Sequence, residues 1–160
     1  MQSASGREDP RPGGEDSASS GRGTDSGGIA ADLGAFEDEI TIRLPARSIY
    51  VAVLRTAIAG VAARCDFNLD EIEDLRIAVD EACGLLLHDA APGSSLSCHF
   101  AARTDSLVAA VSSQVMTPRL PDPASFGWLV LNSLAGAVHA ELDGDVLTIL
   151  LSRPRIVAAS

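Results

Sequence analysis

The sequence predicts an α+β fold, a two-layer sandwich in which helices cover one face of a mostly antiparallel sheet. Two observations predict it. Segments that alternate polar and apolar residues, typical of half-buried strands, and segments with helical spacing follow one another in the order β-α-α-β-β-α-β-β. A length of 160 residues is enough for one domain with a sizeable core, and not comfortably enough for two.

The amino-acid composition limits the kinds of partner that the protein is expected to bind. The chain has 12 basic residues, all arginine, and 22 acidic ones, so its net charge is −10. Such a charge argues against nucleic acid or an anionic membrane as partner. No apolar run reaches the roughly 20 residues of a membrane helix, and no basic segment followed by an apolar core opens the chain. We therefore expect a soluble, cytoplasmic protein.

The cysteines favour neither a disulfide framework nor a metal site. Cys65, Cys83 and Cys98 are odd in number, widely spaced and embedded in apolar patterns. We expect them to be small buried hydrophobic residues in a reducing compartment.

The chain is expected to have one folded domain between two tails. Residues 1–34 contain eight glycines and six serines, with almost no large apolar residue before Ile29, so they are predicted to form a disordered tail. Residues 35–155 are predicted to form the domain, and residues 156–160 a short C-terminal tail.

The first two predicted elements of the domain are a strand and a helix. Residues 39–44 alternate, and Pro45 ends the strand. Residues 46–65 are rich in alanine and are predicted to form a helix with Arg47 and Arg55 about two turns apart. Those arginines are either ion-pair partners or contact points for a ligand. The residues expected to face the core are Ile49, Val53, Thr56, Ala57, Gly60 and Val61.

Residues 69–89 carry the strongest helical period and the densest cluster of ionisable groups. Asn68 can cap this helix, and four acids, Asp70, Glu71, Glu73 and Asp74, crowd its first turns on the polar face. Asp80 and Glu81 lie further along, beyond the reach of the helix dipole, so they are either solvated or chemically active. The apolar stripe consists of Ile72, Leu75, Val79, Ala82, Cys83 and Leu86.

Two hairpins and a third helix complete the chain. Residues 94–102 and 106–113 form the first hairpin, with His99 on its solvent side. After a proline-rich loop, residues 124–139 form a helix that Asp122 or Ser125 can cap, and Ala137 and Val138 belong to its apolar face. Residues 140–151 form the last hairpin around an Asp-Gly turn.

The segment LRIAVDEAC, with the apolar turn after it, resembles the N-box helix of the GHKL ATPase superfamily. Within that superfamily it is similar to the bacterial anti-sigma factors of the RsbW type, which double as serine kinases. The resemblance covers residues 37–153. It implies a Bergerat (GHKL-like) fold, ATP and Mg²⁺ as cofactors, and a catalytic role for Glu81. The histidine of the family falls at Asp89, so His88 is interpreted as incidental.

Three departures from the family pattern concern the nucleotide site. Leu85 stands where the family has an Mg²⁺-binding asparagine, and it offers no oxygen ligand. The segment SSQVMTPRLPDP replaces the Asp-x-Gly-x-Gly loop and contains no glycine. The glycine-rich lid is reduced to one glycine between Phe126 and Trp128, whose rings are expected to fill the nucleotide space. We therefore predict no efficient ATP use, no cofactor or metal site, and an inactive Glu81.

The resulting hypothesis is an anti-sigma factor that sequesters an alternative sigma factor, as a homodimer, and is released by an anti-anti-sigma (STAS) protein. The resemblance implies that Arg55 binds sigma, and Arg47, the other arginine of that predicted helix, is expected to contact sigma as well. Asp80 is interpreted as solvated. Two alternatives stay open. One is an active ATP-dependent serine kinase with Glu81 as general base. The other is an adaptor or ligand-binding domain that has kept only the scaffold.

Overall fold

The computed structural model describes residues 38–156, so the predicted tail of residues 1–34 and residues 157–160 lie outside the described part. The predicted order of elements and the α+β class are confirmed. The strands are β1 (Asp38–Pro45), β2 (Ser95–Ala102), β3 (Ser106–Gln114), β4 (Ala137–Asp143) and β5 (Val146–Pro154). The helices are α1 (Val51–Arg64), α2 (Leu69–Leu87) and α3 (Phe126–Leu134), and a 3-10 turn (Ser48–Tyr50) precedes α1.

All strands pair antiparallel in the order β1-β2-β3-β5-β4. The register places Cys98 beside Val111 and Val111 beside Ile149, and all three are fully buried. Because alternate residues of a strand face opposite sides, this row marks the face that the helices cover. His99 lies on the other side, half-buried, with its Nδ1 2.9 Å from Thr41 Oγ1, as predicted for the solvent face.

Helix α2 occupies the middle of the helical layer. It packs against α1 on one flank and α3 on the other, and it also contacts β3 and β5. Its predicted apolar stripe is largely confirmed, because the residues with no more than 1% exposure are Leu75, Ala78, Val79, Ala82, Cys83 and Leu86. None of the helices between residues 38 and 156 is long and apolar enough to cross a membrane.

The start of α2 is fixed by a capping box that also ties down the last strand. Asn68 Oδ1 accepts from Glu71 N at 2.9 Å, and Glu71 Oε2 accepts from Asn68 N at 2.9 Å. Glu71 Oε1 accepts from the backbone N–H of Ile156 at 2.8 Å. With 2% exposure Glu71 is buried, so its assignment to the exposed acidic face was wrong. The backbone that follows β5 gives this carboxylate its second partner.

Helix α1 begins later than predicted and buries a different face. Arg47 is extended (φ −136°, ψ 138°), because Ala46 N–H still bonds to Ser94 O at 3.0 Å. Arg47 and Arg55 therefore do not lie on one helix, as the sequence had suggested. The buried residues of α1 are Val51, Leu54, Ile58 and Ala62. The predicted core stripe was therefore wrong for Ile49, Val53, Thr56 and Gly60, which are exposed, whereas Ala57 and Val61 do pack against the core.

Helix α3 ends five residues earlier than predicted. Ala135 is extended (φ −99°, ψ 152°), and residues 137–143 form β4, so the placement of Ala137 and Val138 on a helix was wrong. Gly136 allows the turn into β4 because it lies against β5. A Cβ built there would be 2.6 Å from Pro154 Cδ and 3.1 Å from Ser152 O.

The substitution Gly136→Ala is therefore expected to lower the free energy of unfolding by about 1–3 kcal/mol through overpacking. Urea denaturation measures it. Gly60→Ala is the matched control, because a Cβ at Gly60 in α1 meets nothing within 4 Å. That control is expected to be neutral or to stabilise by up to ~1 kcal/mol. Equal stability of the two variants would show that the contact with Pro154 does not constrain the turn.

Cys83 and Cys98 are fully buried thiols, as predicted, and Cys65 is half-buried. Burial raises the pKa of Cys83 to about 12, with a further increase from Asp80 and an opposing effect of Arg55. Burial also raises the pKa of Cys98. Both thiols therefore stay protonated and weakly reactive at neutral pH.

Candidate functional site

Two successive acidic residues of α2 face different flanks of the helix. Asp80 points to α1, where its Oδ1 lies 3.6 Å from Arg55 Nε. Glu81 points to α3, since a Cβ built on Gly127 would lie 3.4 Å from Glu81 Oε2. Neighbouring helix residues are about 100° apart around the axis, so this divergence follows from helix geometry. The sequence-predicted Arg55 and Glu81 thus belong to two separate sites.

The α1 flank carries a charged groove lined by Arg55, Glu73, Arg76, Ile77 and Asp80. Arg76 Nη1 lies 3.0 Å from Glu73 Oε2, and Arg55 pairs with Asp80. Ile77 is 41% exposed among these charges. Asp80 is partly solvated, as expected, and its side chain also pairs with Arg55.

An apolar patch extends along the outer side of α1. Ile49 in the 3-10 turn is 69% exposed and Val53 is 45% exposed. Ala52, Val53, Thr56 and Ala57 line an open hollow there. Arg47 adds a positive charge at the start of this segment, with its guanidinium carbon 6.0 Å from the centroid of the Tyr50 ring. Large apolar side chains left in solvent beside charges are typical of a protein-binding surface.

The α3 flank carries a cleft of about 530 Å³ between the end of α2, the segment from residue 115 to residue 125, and β5. Asp89 holds this segment in place. Its backbone O accepts from Met116 N at 2.8 Å, and its Oδ2 accepts from Thr117 N at 2.7 Å. The lining residues are Gly84, Leu85, His88, Asp89, Val115, Thr117, Arg119, Leu120, Pro121, Asp122, Ser125 and Leu147.

The cleft residues do not fit Mg²⁺-ATP. Leu85 presents a hydrocarbon side chain at the family's metal-binding position, and the segment from residue 115 to residue 125 has no glycine for close backbone approach to phosphates. At the start of α3, a Cβ on Gly127 would be 3.2 Å from Leu85 Cδ2, so the helix already packs on Leu85. Between residues 38 and 156, no three His, Cys, Asp or Glu side chains are placed to hold a metal ion.

The aromatic residues do not fill this cleft, contrary to expectation. Phe126 is 79% exposed, and Trp128 is half-buried against the core; neither belongs to the cleft lining. Ser125 caps α3, accepting from Trp128 N at 3.4 Å. Neither aromatic ring therefore fills the cleft.

Several cleft residues were missed in the sequence because they lie on a loop. Arg119 and Leu120 follow no period, whereas Asp89 and Asp122 were singled out only as the position of the family's histidine and as a candidate cap, not as residues of a cleft. Asp122 supports the loop itself, since its Oδ1 accepts from Ala124 N at 2.9 Å. The two candidate caps of α3 are now distinguished: Ser125 caps the helix, and Asp122 holds Ser125 through its backbone O.

Comparison with known proteins finds several relatives that are RsbW proteins. The chain is 34% identical over 105 residues to the anti-sigma-F factor RsbW of Mycobacterium tuberculosis, covering 66% of this chain and 62% of the relative. It is 48% identical over 46 residues to the serine-protein kinases RsbW of Bacillus thuringiensis and Bacillus cereus, which is 29% of each chain. It thus spans less than two thirds of these relatives. No family model matches the chain.

The fold has a solved counterpart. The crystal structure of the RsbU and RsbW domains of Rv1364c from Mycobacterium tuberculosis superposes with a TM-score of 0.58. The match covers 76% of this chain and 34% of that one, at 15% sequence identity. At this identity the likeness concerns the fold alone.

Proposed function

The chain belongs to the RsbW-like family of anti-sigma factors and serine-protein kinases, and from this premise we propose that it is an anti-sigma factor that sequesters an alternative sigma factor. The observation that best supports the proposal is the outer side of α1. Exposed Ile49 and Val53 lie on the outer side of the 3-10 turn and α1, and the half-exposed, ion-paired Arg55 lies on the flank of α1 that faces α2. An exposed apolar patch next to a flank with charged groups is typical of a protein interface.

In this proposal Arg55 is the main polar contact with sigma. It pairs with a carboxylate on the partner, and Arg47 supplies a second positive charge at the start of the same segment. The apolar patch around Val53 provides the area that a single ion pair could not. The active unit is a homodimer. An anti-anti-sigma (STAS) protein releases sigma by competing for the same surface, which is a partner switch.

Sequestration in this proposal does not depend on nucleotide. The hydrocarbon side chain of Leu85 and the glycine-free loop argue against tight Mg²⁺-ATP binding. The second candidate, an active serine kinase, is favoured by one observation: a cleft of about 530 Å³ lies beside Leu85, the residue that the resemblance aligns with the Mg²⁺-binding position of the family. In that case Glu81 would have to act as a general base.

Isothermal titration with ATP and Mg²⁺ separates the two candidates. We expect no binding in the micromolar range, because Leu85 supplies no oxygen ligand and the segment from residue 115 to residue 125 has no glycine to form a phosphate-binding loop. A zinc-free, sulfate-free buffer and a known ATP-binding protein in the same cell control the measurement. Micromolar binding that requires Mg²⁺, with transfer of phosphate to a STAS protein that Glu81→Gln abolishes, would replace our proposal with the kinase.

The third possibility is an adaptor that has kept only the scaffold. It predicts that purified sigma factors of the host do not bind the α1 surface, and that another protein does. Titration of the purified chain with those sigma factors therefore distinguishes an adaptor from an anti-sigma factor.

A further inference from the structure

Asp80 pairs with the Arg55 guanidinium, the group that the proposed function assigns to a carboxylate of the partner. We propose that Asp80 competes within the chain for Arg55, and so keeps the affinity of the α1 surface for an acidic segment of sigma below what Arg55 alone would give. This inference rests on the proposed function. It adds a residue that sets the strength and reversibility of binding.

The geometry of the pair allows this exchange. Arg55 Nε lies 3.6 Å from Asp80 Oδ1, and the two side chains are 42% and 46% exposed. An ion pair with one long contact and with both partners in solvent is weak, because water screens it. Asp80 therefore orients the Arg55 guanidinium but binds it only weakly. A carboxylate of the partner can take the place of Asp80.

The second ion pair of the groove does not compete for Arg55. Glu73 binds Arg76 at 3.0 Å, and it lies about two turns before Asp80 on α2. Asp80 is therefore distinguished from Glu73 by its contact with Arg55, although both acids line the same groove. This difference gives the test its control.

Displacement of Asp80 has an electrostatic consequence. A partner carboxylate that pairs with Arg55 comes close to Asp80. Asp80 then loses its ion-pair partner, and the two negative carboxylates repel each other. In a chain of net charge −10, distant basic residues give little compensation. Binding is weakened, and a competing antagonist can release sigma more readily.

The substitution Asp80→Asn tests the inference on the full-length chain. It is expected to tighten binding of the purified sigma factor about two- to five-fold at low salt, as measured by isothermal titration, and less at high salt. Glu73→Gln makes the same charge change in the same groove and is expected to alter affinity by less than about two-fold. Thermal unfolding checks that both variants remain folded.

The decisive readout is a double-mutant cycle with Arg55→Ala. If Asp80 acts through Arg55, Asp80→Asn has no effect on affinity in the Arg55→Ala background. An unchanged or weaker affinity of Asp80→Asn, or the same gain with and without Arg55, would overturn the inference while leaving sigma binding intact. If the unmodified chain binds no sigma factor, the proposed function fails, and the inference fails with it.

Discussion

Replacement of Glu71 with alanine is expected to lower the free energy of unfolding by about 2–4 kcal/mol. The carboxylate is 2% exposed and accepts from two backbone N–H groups, those of Asn68 and Ile156. Alanine would leave both donors without their partner, and would release the segment that follows β5 from the start of α2. Chemical denaturation followed by circular dichroism measures the loss.

Two variants control this prediction. Glu71→Gln keeps the shape and one acceptor oxygen, so we expect roughly half of the loss. Glu73→Ala removes an exposed acid from the same helix and is expected to change stability by less than ~0.5 kcal/mol. A Glu71→Ala protein as stable as Glu73→Ala would contradict the capping role of Glu71.

Reversal of charge at Arg55 is expected to weaken sigma binding at least tenfold. In Arg55→Glu the groove loses the cation that pairs with the partner, and the new carboxylate lies beside Asp80 and repels an acidic partner. Loss of a central ion-pair contact in an interface is worth about 1–3 kcal/mol, and one tenfold step corresponds to about 1.4 kcal/mol. Titration of purified sigma factor gives the affinity.

Arg43→Glu is the matched control for Arg55→Glu. Arg43 is exposed on β1 between Ile42 and Leu44, which pack on the core, so it lies on the face of the sheet without helices. The change in net charge is the same in both variants. Equal losses of affinity would mean that only the overall charge matters, and Arg55 would no longer be assigned to the interface.

The fold could largely be predicted because its elements are encoded locally. Helix α2 shows a regular apolar period, and the hairpins show alternation with short turns. The face of α1 could not be predicted, because an alanine-rich helix is apolar on every side and only the tertiary contacts choose Leu54 over Val53. The end of α3 depends on Gly136 packing against Pro154, a contact between separate segments that local sequence does not encode.

The candidate sites were less accessible to sequence reasoning. Arg55 and Glu81 came from the resemblance, and the structure adds that they lie on opposite flanks of α2. The pairing of Arg55 with Asp80 spans two helices, and the contact between Glu71 and Ile156 joins positions 85 residues apart. Neither leaves a periodic signal. The cleft is lined by a proline-rich loop whose course depends on its hydrogen bonds to Asp89.

The most direct measurement is transcription in vitro with the purified chain, core RNA polymerase and each alternative sigma factor of the host, without added nucleotide before initiation. The account predicts that one sigma factor forms a stoichiometric complex with the chain on size-exclusion chromatography, and that its promoter is silenced in proportion to the complex. Arg55→Glu should restore transcription. No complex with any sigma factor, or a complex that forms only with Mg²⁺-ATP, would contradict nucleotide-independent sequestration.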